Sequence, residues 1–243
     1  MVRSPTLSIL LAGLLALLSL AACSPPALSD EARAVPAPKL DAPLASKPGT
    51  QTAVFAGGCF WGMQWVFEHV KGVTNVTAGY SGGAADTAHY ERVSEGDTGH
   101  AESVQVSFDP SRVSYGELLR VYFSVATDPT ELNRQGPDVG AQYRGVIFYA
   151  DPQQRRIAQA YIAQLASAKV YAAPIVTQVA PFEAFYPAED YHQDYARLNP
   201  DAPYIAINDA PKVRRLAQLL PALYRAQPIV HRPSPQVVSI SVL

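Results

Sequence analysis

The chain has 243 residues, of which 48% are hydrophobic and 16% are charged, and its formal net charge is -2 at pH 7. This composition is typical of a globular protein with one sizeable domain, and the near-neutral charge gives no reason to expect a nucleic acid or an anionic surface as partner. The two cysteines, Cys23 and Cys59, are too few for a disulfide framework.

Residues 1–22 have the pattern of an export signal, with a leucine-rich core over residues 7–20. This core is shorter than the roughly 20 apolar residues of a membrane span. The tetrapeptide that ends at Cys23 resembles the lipobox of bacterial lipoproteins, in which the cysteine becomes the lipidated first residue. A transmembrane anchor and a plain secretory signal are the alternatives. We therefore expect lipidation at Cys23 and a lipid-anchored protein of the bacterial cell envelope that faces the periplasm, and Ser24 favours the outer membrane.

Residues 23–51 are predicted to form a tether. The segment contains six prolines and no aromatic residue, so it carries too little apolar surface to fold by itself. The folded domain is expected over residues 52–210, followed by a C-terminal tail over residues 211–243.

Hydrophobic periodicity and capping signals divide the domain into strands and helices. Apolar residues alternate along residues 101–108, as in a half-buried strand, and Ser114 and Glu117 form a capping box that opens a helix. The other predicted strands cover residues 52–56, 73–80, 144–149 and 175–179. The predicted helices cover residues 60–70, 114–125 and 152–169, with a short one at 212–225.

The order of these elements predicts an α+β protein. The pattern is β-α-β-β-α-β followed by a further α-β, which is typical of a ferredoxin-like two-layer sandwich with an extension. Helices should therefore pack on one face of a mostly antiparallel sheet. The segment beyond Pro181 is irregular and rich in tyrosine, and we expect it to wrap over the functional site.

The stretch Gly57-Gly58-Cys59-Phe60-Trp61-Gly62 joins the first strand to the first helix. A helix N-terminus favours a thiolate, and the glycines allow a tight turn in which the sulfur of Cys59 is exposed. Phe60 and Trp61 would place an apolar wall beside that sulfur. The alternative is an inert buried thiol.

Three kinds of chemistry can be compared for Cys59. A metal site is poorly supported, because the histidines are scattered without ligand spacing. A cysteine hydrolase needs a base, for which His100 or His192 could serve, although neither lies in a setting that indicates this role. In thiol redox chemistry Cys59 attacks an electrophile, and Glu102 supplies a proton if burial raises its pKa. The alternative for Glu102 is a solvated strand end.

Five motifs occur in order along the domain: GCFWG at 58–62, GYSGG at 79–83, GDTGHAE at 96–102, DPT at 128–130 and QGPDVGAQYR at 135–144. Together they resemble the peptide methionine sulfoxide reductase A family, and the resemblance runs from about Val54 to Tyr204. It implies thiol-dependent reduction of free and protein-bound methionine S-sulfoxide, which would repair oxidised envelope proteins. It also implies that neither a metal nor an organic cofactor takes part.

The same resemblance implies a role for each matched residue. Cys59 corresponds to the nucleophile that attacks the sulfoxide sulfur and becomes a sulfenic acid, and Glu102 to the acid that protonates the oxygen. The other matched residues contact the substrate: Phe60 and Trp61 receive its methyl group, Tyr90 and Tyr143 hold its oxygen, and Asp138 orders the site through water. Neutral acid and phenol donors suit a sulfoxide oxygen, which is a poor leaving group until it is protonated.

The sequence departs from many members of that family after Tyr204. A resolving cysteine often follows this tyrosine, whereas Ile205 follows it here. Because Cys23 is expected to be acylated, the sulfenic acid needs an external reductant, either a thioredoxin-like periplasmic domain or a small thiol. A lipoprotein that binds sulfoxide or senses redox state without turnover is the alternative.

Overall fold

The computed structural model describes residues 34–233. The predicted signal segment, the lipobox with Cys23 and the last ten residues of the predicted tail lie outside the described residues. Within residues 34–233, no helix is both long enough and apolar enough to cross a membrane.

The described part of the chain contains eight strands and six α-helices. The strands are β1 (Gln51–Ala56), β2 (Val73–Ser81), β3 (Ala101–Phe108), β4 (Arg134–Gln135), β5 (Asp138–Val139), β6 (Val146–Tyr149), β7 (Gln178–Pro181) and β8 (Tyr186–Pro187). The helices are α1 (Phe60–Glu68), α2 (Tyr90–Val93), α3 (Tyr115–Val121), α4 (Pro152–Ser167), α5 (Tyr195–Leu198) and α6 (Ala210–Leu219). Two π-helical turns, Tyr122–Ala126 and Ile205–Asp209, follow α3 and precede α6.

Six of the strands form one sheet in the order β7-β6-β1-β3-β2-β8, while β4 and β5 form a separate hairpin. All neighbours in the large sheet are antiparallel except β6 and β7. The predicted α+β class with a mostly antiparallel sheet is therefore confirmed. The strand predicted over residues 175–179 begins later, at Gln178, because Val176 donates its N–H to the carbonyl of Pro129 instead of joining the sheet.

Alternating apolar residues give the sheet two different faces. Phe55 points to the helical side, where its ring stacks on Phe67 of α1 at 5.4 Å between centroids. The larger core also contains buried side chains from α3, α4 and α6. Val54 points to the opposite face and belongs to a smaller apolar cluster that Phe182 and Phe185 cover. The helices thus pack on one face of the sheet, as predicted from the element order.

The predicted capping box is present at the start of α3. The Ser114 hydroxyl accepts a hydrogen bond from the N–H of Glu117, whose carboxylate accepts one from the N–H of Ser114. At α4, Asp151 caps the helix and Pro152 occupies its first position, which needs no N–H donor.

The described half of the predicted tether, residues 34–50, lies against the domain, and we call it the N-terminal strap. Val35 is buried, and its carbonyl accepts a hydrogen bond from Arg120 Nε at 2.9 Å. The Tyr161 hydroxyl donates to the carbonyl of Pro36 at 2.6 Å. The tether prediction is wrong for this half. An extended proline-rich chain leaves its backbone carbonyls free to accept hydrogen bonds, and here the donors are side chains of distant helices, which a local sequence pattern does not reveal.

Asp41 of the strap adds a cap to α3. Its carboxylate accepts hydrogen bonds from the N–H of Gly116 at 2.8 Å and from the Ser114 hydroxyl.

Replacing Asp41 by alanine should lower the free energy of unfolding by about 1 kcal/mol, the usual contribution of such a cap. Urea titration would measure the loss. Asp201→Ala, which removes the same charge from an exposed site, should leave the midpoint unchanged. Equal midpoints for both variants would show that the strap contributes no stability through Asp41.

Candidate active site

Cys59 lies between the end of β1 and the first residue of α1. Gly58 before it has a φ of +94°, and a Cβ at this position would come within 2.6 Å of the Gln135 side chain. Glycine is therefore required both for the backbone conformation and for the close approach of the β4 strand. Cys59 is only 8% exposed, so the prediction of an exposed sulfur is wrong.

Burial also outweighs the helix N-terminus in setting the charge of Cys59. Removal from water, together with the neighbouring carboxyls of Glu102 and Asp209, raises the pKa of the Cys59 thiol well above its usual value. The backbone N–H of Trp61 and the ammonium group of Lys212 oppose this shift. In the surroundings that the structure shows, the sulfur is thus a protonated thiol at neutral pH.

Glu102 lies near the start of β3 and faces the first turn of α1. Its Oε2 accepts a hydrogen bond from the N–H of Phe60 at 3.0 Å, and the residue is only 3% exposed. Burial, reinforced by the carboxyls of Asp138 and Asp209, raises the pKa of Glu102 to about 8. The alternative of a solvated strand end is therefore wrong. At neutral pH the side chain is a carboxylic acid with a proton to give.

Aromatic side chains surround the start of α1. The Trp61 ring stacks on Tyr195 at 4.0 Å and meets the edge of Tyr204 at 6.1 Å between centroids. Its Nε1 donates to His192 Nδ1 at 3.1 Å. Phe60 is fully buried, with its ring centroid 5.0 Å from that of His192. The prediction that the tyrosine-rich segment wraps over the site is confirmed by these contacts.

Tyr90 reaches the same site from the start of α2. Its ring centroid lies 4.5 Å from that of His192, and its backbone N–H donates to Glu189 Oε1 at 3.0 Å. Glu189 Oε2 also accepts a hydrogen bond from the Tyr80 hydroxyl at 2.9 Å. Burial and the nearby Glu102 raise the pKa of the Tyr90 phenol, which keeps it a donor. Sequence reasoning missed Glu189, which holds β2 and α2 together beside the site.

Tyr143 and Asp138 approach from the loop region before β6. The carbonyl of Tyr143 accepts a hydrogen bond from the N–H of Gly58 at 3.2 Å, and burial beside Glu102 raises the pKa of its phenol. Asp138 in β5 accepts a hydrogen bond directly from the Tyr204 hydroxyl. The sequence predicted an ordering role for Asp138 through water, whereas the structure provides a direct partner. The predicted site residues of the domain thus converge on the start of α1.

The two histidines considered as a hydrolase base have hydrogen-bond partners other than Cys59. His100 Nδ1 accepts a hydrogen bond from the N–H of Gly83 at 3.2 Å, and its Nε2 lies 2.9 Å from the carbonyl of Ala84. His192 Nδ1 accepts from Trp61, and burial lowers the pKa of its ring. Both rings therefore order neighbouring segments, and neither supports a cysteine hydrolase.

Several residues of the site have no signal in the local sequence pattern. Tyr195, Tyr204 and Glu189 belong to the irregular segment beyond Pro181, where only the density of tyrosine indicated involvement. Asp209 and Lys212 act on Cys59 from the opposite end of the chain. Within residues 34–233, no group of three histidine, cysteine, aspartate or glutamate side chains has the arrangement of a metal site.

Comparison with known proteins gives consistent results. A family model described as peptide methionine sulfoxide reductase matches residues 51–221. The chain is 60% identical over 183 residues to peptide methionine sulfoxide reductase MsrA 2 of Mesorhizobium japonicum, covering 75% of this chain and 94% of the relative. It is 50% identical over 202 residues to the protein of the same name from Synechocystis, covering 82% and 94%.

Two solved structures are similar to the described fold. Reduced Mxr1 of Saccharomyces cerevisiae has a TM-score of 0.57 at 30% identity, covering 68% of this chain and 92% of the yeast chain. Methionine sulfoxide reductase A of Corynebacterium diphtheriae has a TM-score of 0.55 at 36% identity, covering 65% and 78%.

Proposed function

Because the chain belongs to the peptide methionine sulfoxide reductase A family and is a thiol-dependent methionine sulfoxide reductase, we propose that Cys59 is its nucleophile and Glu102 its proton donor. The activity is that of a peptide-methionine (S)-S-oxide reductase. One observation carries the proposed roles: the buried carboxyl of Glu102 accepts a hydrogen bond from the N–H of Phe60. Phe60 directly follows Cys59, which holds the only free thiol among residues 34–233.

In the first half of the reaction, oxygen moves from the substrate to Cys59. The sulfur of Cys59 attacks the sulfoxide sulfur while Glu102 protonates the sulfoxide oxygen. The S–O bond of the substrate and the transient bond between the two sulfurs then break, so that methionine is released and the oxygen ends on Cys59 as a sulfenic acid. The proton of the original thiol restores Glu102. The substrate sulfur gains two electrons, and Cys59 loses two. Glu102 suits this role because its pKa of about 8 keeps it protonated at neutral pH.

The remaining residues bind and orient the sulfoxide. Phe60 and Trp61 contact the methyl group of the substrate. Trp61 is held in place for this by its stack on Tyr195 and by its hydrogen bond to His192. Tyr90 and Tyr143 donate their phenol protons to the sulfoxide oxygen, where developing charge needs donors. Asp138, bound by Tyr204, keeps the loop that carries Tyr143 in place.

The second half of the reaction uses an external thiol. Ile205, which follows Tyr204, is fully buried in the π-helical turn before α6. One external thiol would attack the sulfenic acid and release water, and a second would then release Cys59 as a thiol together with the external disulfide. We propose a thioredoxin-like protein as this reductant, with no organic cofactor and no metal.

The cellular setting is also a proposal, and it rests on the sequence pattern of residues 1–23. We propose a lipoprotein, acylated at Cys23 and facing the periplasm from the outer membrane, that repairs oxidised methionine in envelope proteins. The sheet itself we propose to be of the ferredoxin-like type, which the neighbour order β6-β1-β3-β2 supports.

A single-turnover experiment tests the proposed chemistry. The reduced, purified chain is given one equivalent of methionine S-sulfoxide without a reductant, and its intact mass is recorded. We expect a gain of one oxygen atom, release of one methionine per chain, and capture of the product at Cys59 by a sulfenic acid reagent. If neither methionine nor added mass is found, the site binds sulfoxide without turning it over, and the non-catalytic alternative replaces this proposal.

A further inference from the structure

Gly62 lies inside α1, where glycine is unfavourable relative to alanine. The structure shows why no side chain is present. A Cβ on Gly62 would come within 2.0 Å of Asp209 Oδ1 and 3.1 Å of Lys212 Nζ. Gly62 is three residues beyond Cys59, so both positions lie on the same face of the helix. The carboxylate of Asp209 therefore occupies the space beside the first turn that carries Cys59.

Asp209 and Lys212 form an ion pair on the C-terminal side of the chain. Lys212 Nζ donates to Asp209 Oδ1 at 3.2 Å. Asp209 immediately precedes α6, and Lys212 lies three residues later, in the first turn of that helix. Asp209 is completely buried, and its Oδ2 has no hydrogen-bond partner within the described residues. Burying a carboxylate is unfavourable unless it is paired. The reaction steps described above do not use this pair, so its presence against α1 needs another reason.

We propose that Asp209 positions the Lys212 ammonium group beside the first turn of α1, where its charge favours the thiolate form of Cys59. The inference rests on the proposed role of Cys59 as nucleophile. It makes Lys212 a positioning residue that acts through charge, while Asp209 fixes its place. The conformation of the C-terminal segment thereby influences the reactivity of a thiol near the start of the domain.

The other charged and titratable groups near Cys59 come from several elements. Glu102 of β3 and Asp209 disfavour the thiolate, while Lys212 favours it. Three phenols, those of Tyr90, Tyr143 and Tyr204, also interact electrostatically with Cys59. Asp138 of β5 adds negative charge near Glu102 and Asp209. In this predominantly negative setting, Lys212 offsets part of the effect of the two carboxyls on the thiol.

The pH dependence of Cys59 alkylation tests the inference without relying on turnover. Iodoacetamide would be added to the full chain, and modification would be followed by mass spectrometry on the peptide that contains Cys59. Lys212→Met should slow alkylation at pH 7 about tenfold, because the rate–pH curve is displaced to higher pH. Lys212→Arg should restore the wild-type curve. Arg214→Met, which removes an exposed charge from the same helix, should leave the rate–pH curve of alkylation unchanged.

The positioning role of Asp209 needs a double-mutant comparison. In an Asp209→Asn background the effect of Lys212→Met should shrink to less than about threefold, because the ammonium group is no longer held against α1. Three outcomes would overturn the inference: no displacement in Lys212→Met, an equal displacement in Arg214→Met, or the same effect of Lys212→Met in both backgrounds. Equal slowing in Lys212→Met and Lys212→Arg would indicate altered access to the sulfur and would also overturn it. None of these results would alter the single-turnover test of Cys59 itself.

Discussion

Replacing Cys59 by serine should abolish the reduction of methionine sulfoxide, with a loss of more than about 10⁴-fold in turnover. Sulfur accepts the sulfoxide oxygen as a sulfenic acid and gives it up again to a thiol, whereas a serine hydroxyl has no corresponding oxidised state. The measurement is methionine released per chain with excess small dithiol as reductant. No other described residue can replace the sulfur, since Cys59 is the only free cysteine within residues 34–233.

The matched control for this experiment is Cys23→Ser in the same chain. This variant should retain full turnover, because Cys23 belongs to the predicted lipobox and has no proposed part in the reaction. Turnover that survives in Cys59→Ser, or that disappears in Cys23→Ser, would contradict the assignment of the nucleophile.

Replacing Glu102 by glutamine should lower turnover by about 10²- to 10⁴-fold, the usual contribution of a general acid. Glutamine has nearly the same shape, and its amide oxygen can still accept the hydrogen bond that Phe60 donates to Glu102. The variant therefore loses the transferable proton without losing the local geometry. Rates should be measured in single turnover, where oxygen transfer is observed separately from thiol-dependent recycling.

Glu102 also predicts the pH dependence of that rate. Burial raises the pKa of this carboxyl from 4.5 to about 8, so the protonated acid disappears as the pH rises through about 8. Wild-type oxygen transfer should stop rising with pH in this range, because the loss of the Glu102 acid offsets the gain in Cys59 thiolate, whose pKa is higher still. The rate of Glu102→Gln should continue to rise. Glu183→Gln, at an exposed carboxyl, should behave as wild type. A wild-type rate that rises steadily from pH 7 to pH 9 would contradict the role of Glu102.

The same carboxyl links pH to stability. Between pH 4.5 and pH 8 the folded protein keeps a proton on Glu102 that the unfolded chain has released. Glu102 therefore contributes stability at low pH that is lost as the pH rises through that interval. Glu102→Gln removes this dependence, so its stability relative to wild type should increase towards pH 8. The acid is thus maintained in the site at a cost in stability.

Much of the local structure follows from the sequence. Alternation in residues 101–108 predicts β3, the pair Ser114 and Glu117 predicts the start of α3, and Asp151 with Pro152 predicts the start of α4. These signals depend on neighbours along the chain, so they need no tertiary information. The site residues that the motifs indicate within the domain also lie together in the structure, at the start of α1.

The tertiary structure alone decided the surroundings of those residues. It buried Cys59 and reversed the expected effect on its pKa, it packed the N-terminal strap against the domain, and it placed Asp209 over Gly62. Each of these results joins segments far apart in sequence: 42 residues separate Phe60 from Glu102, and 85 separate Val35 from Arg120. A sequence pattern determines which face of a helix or strand is apolar. The burial and charge of a reactive group depend on which distant segments cover it, and only the folded chain specifies those.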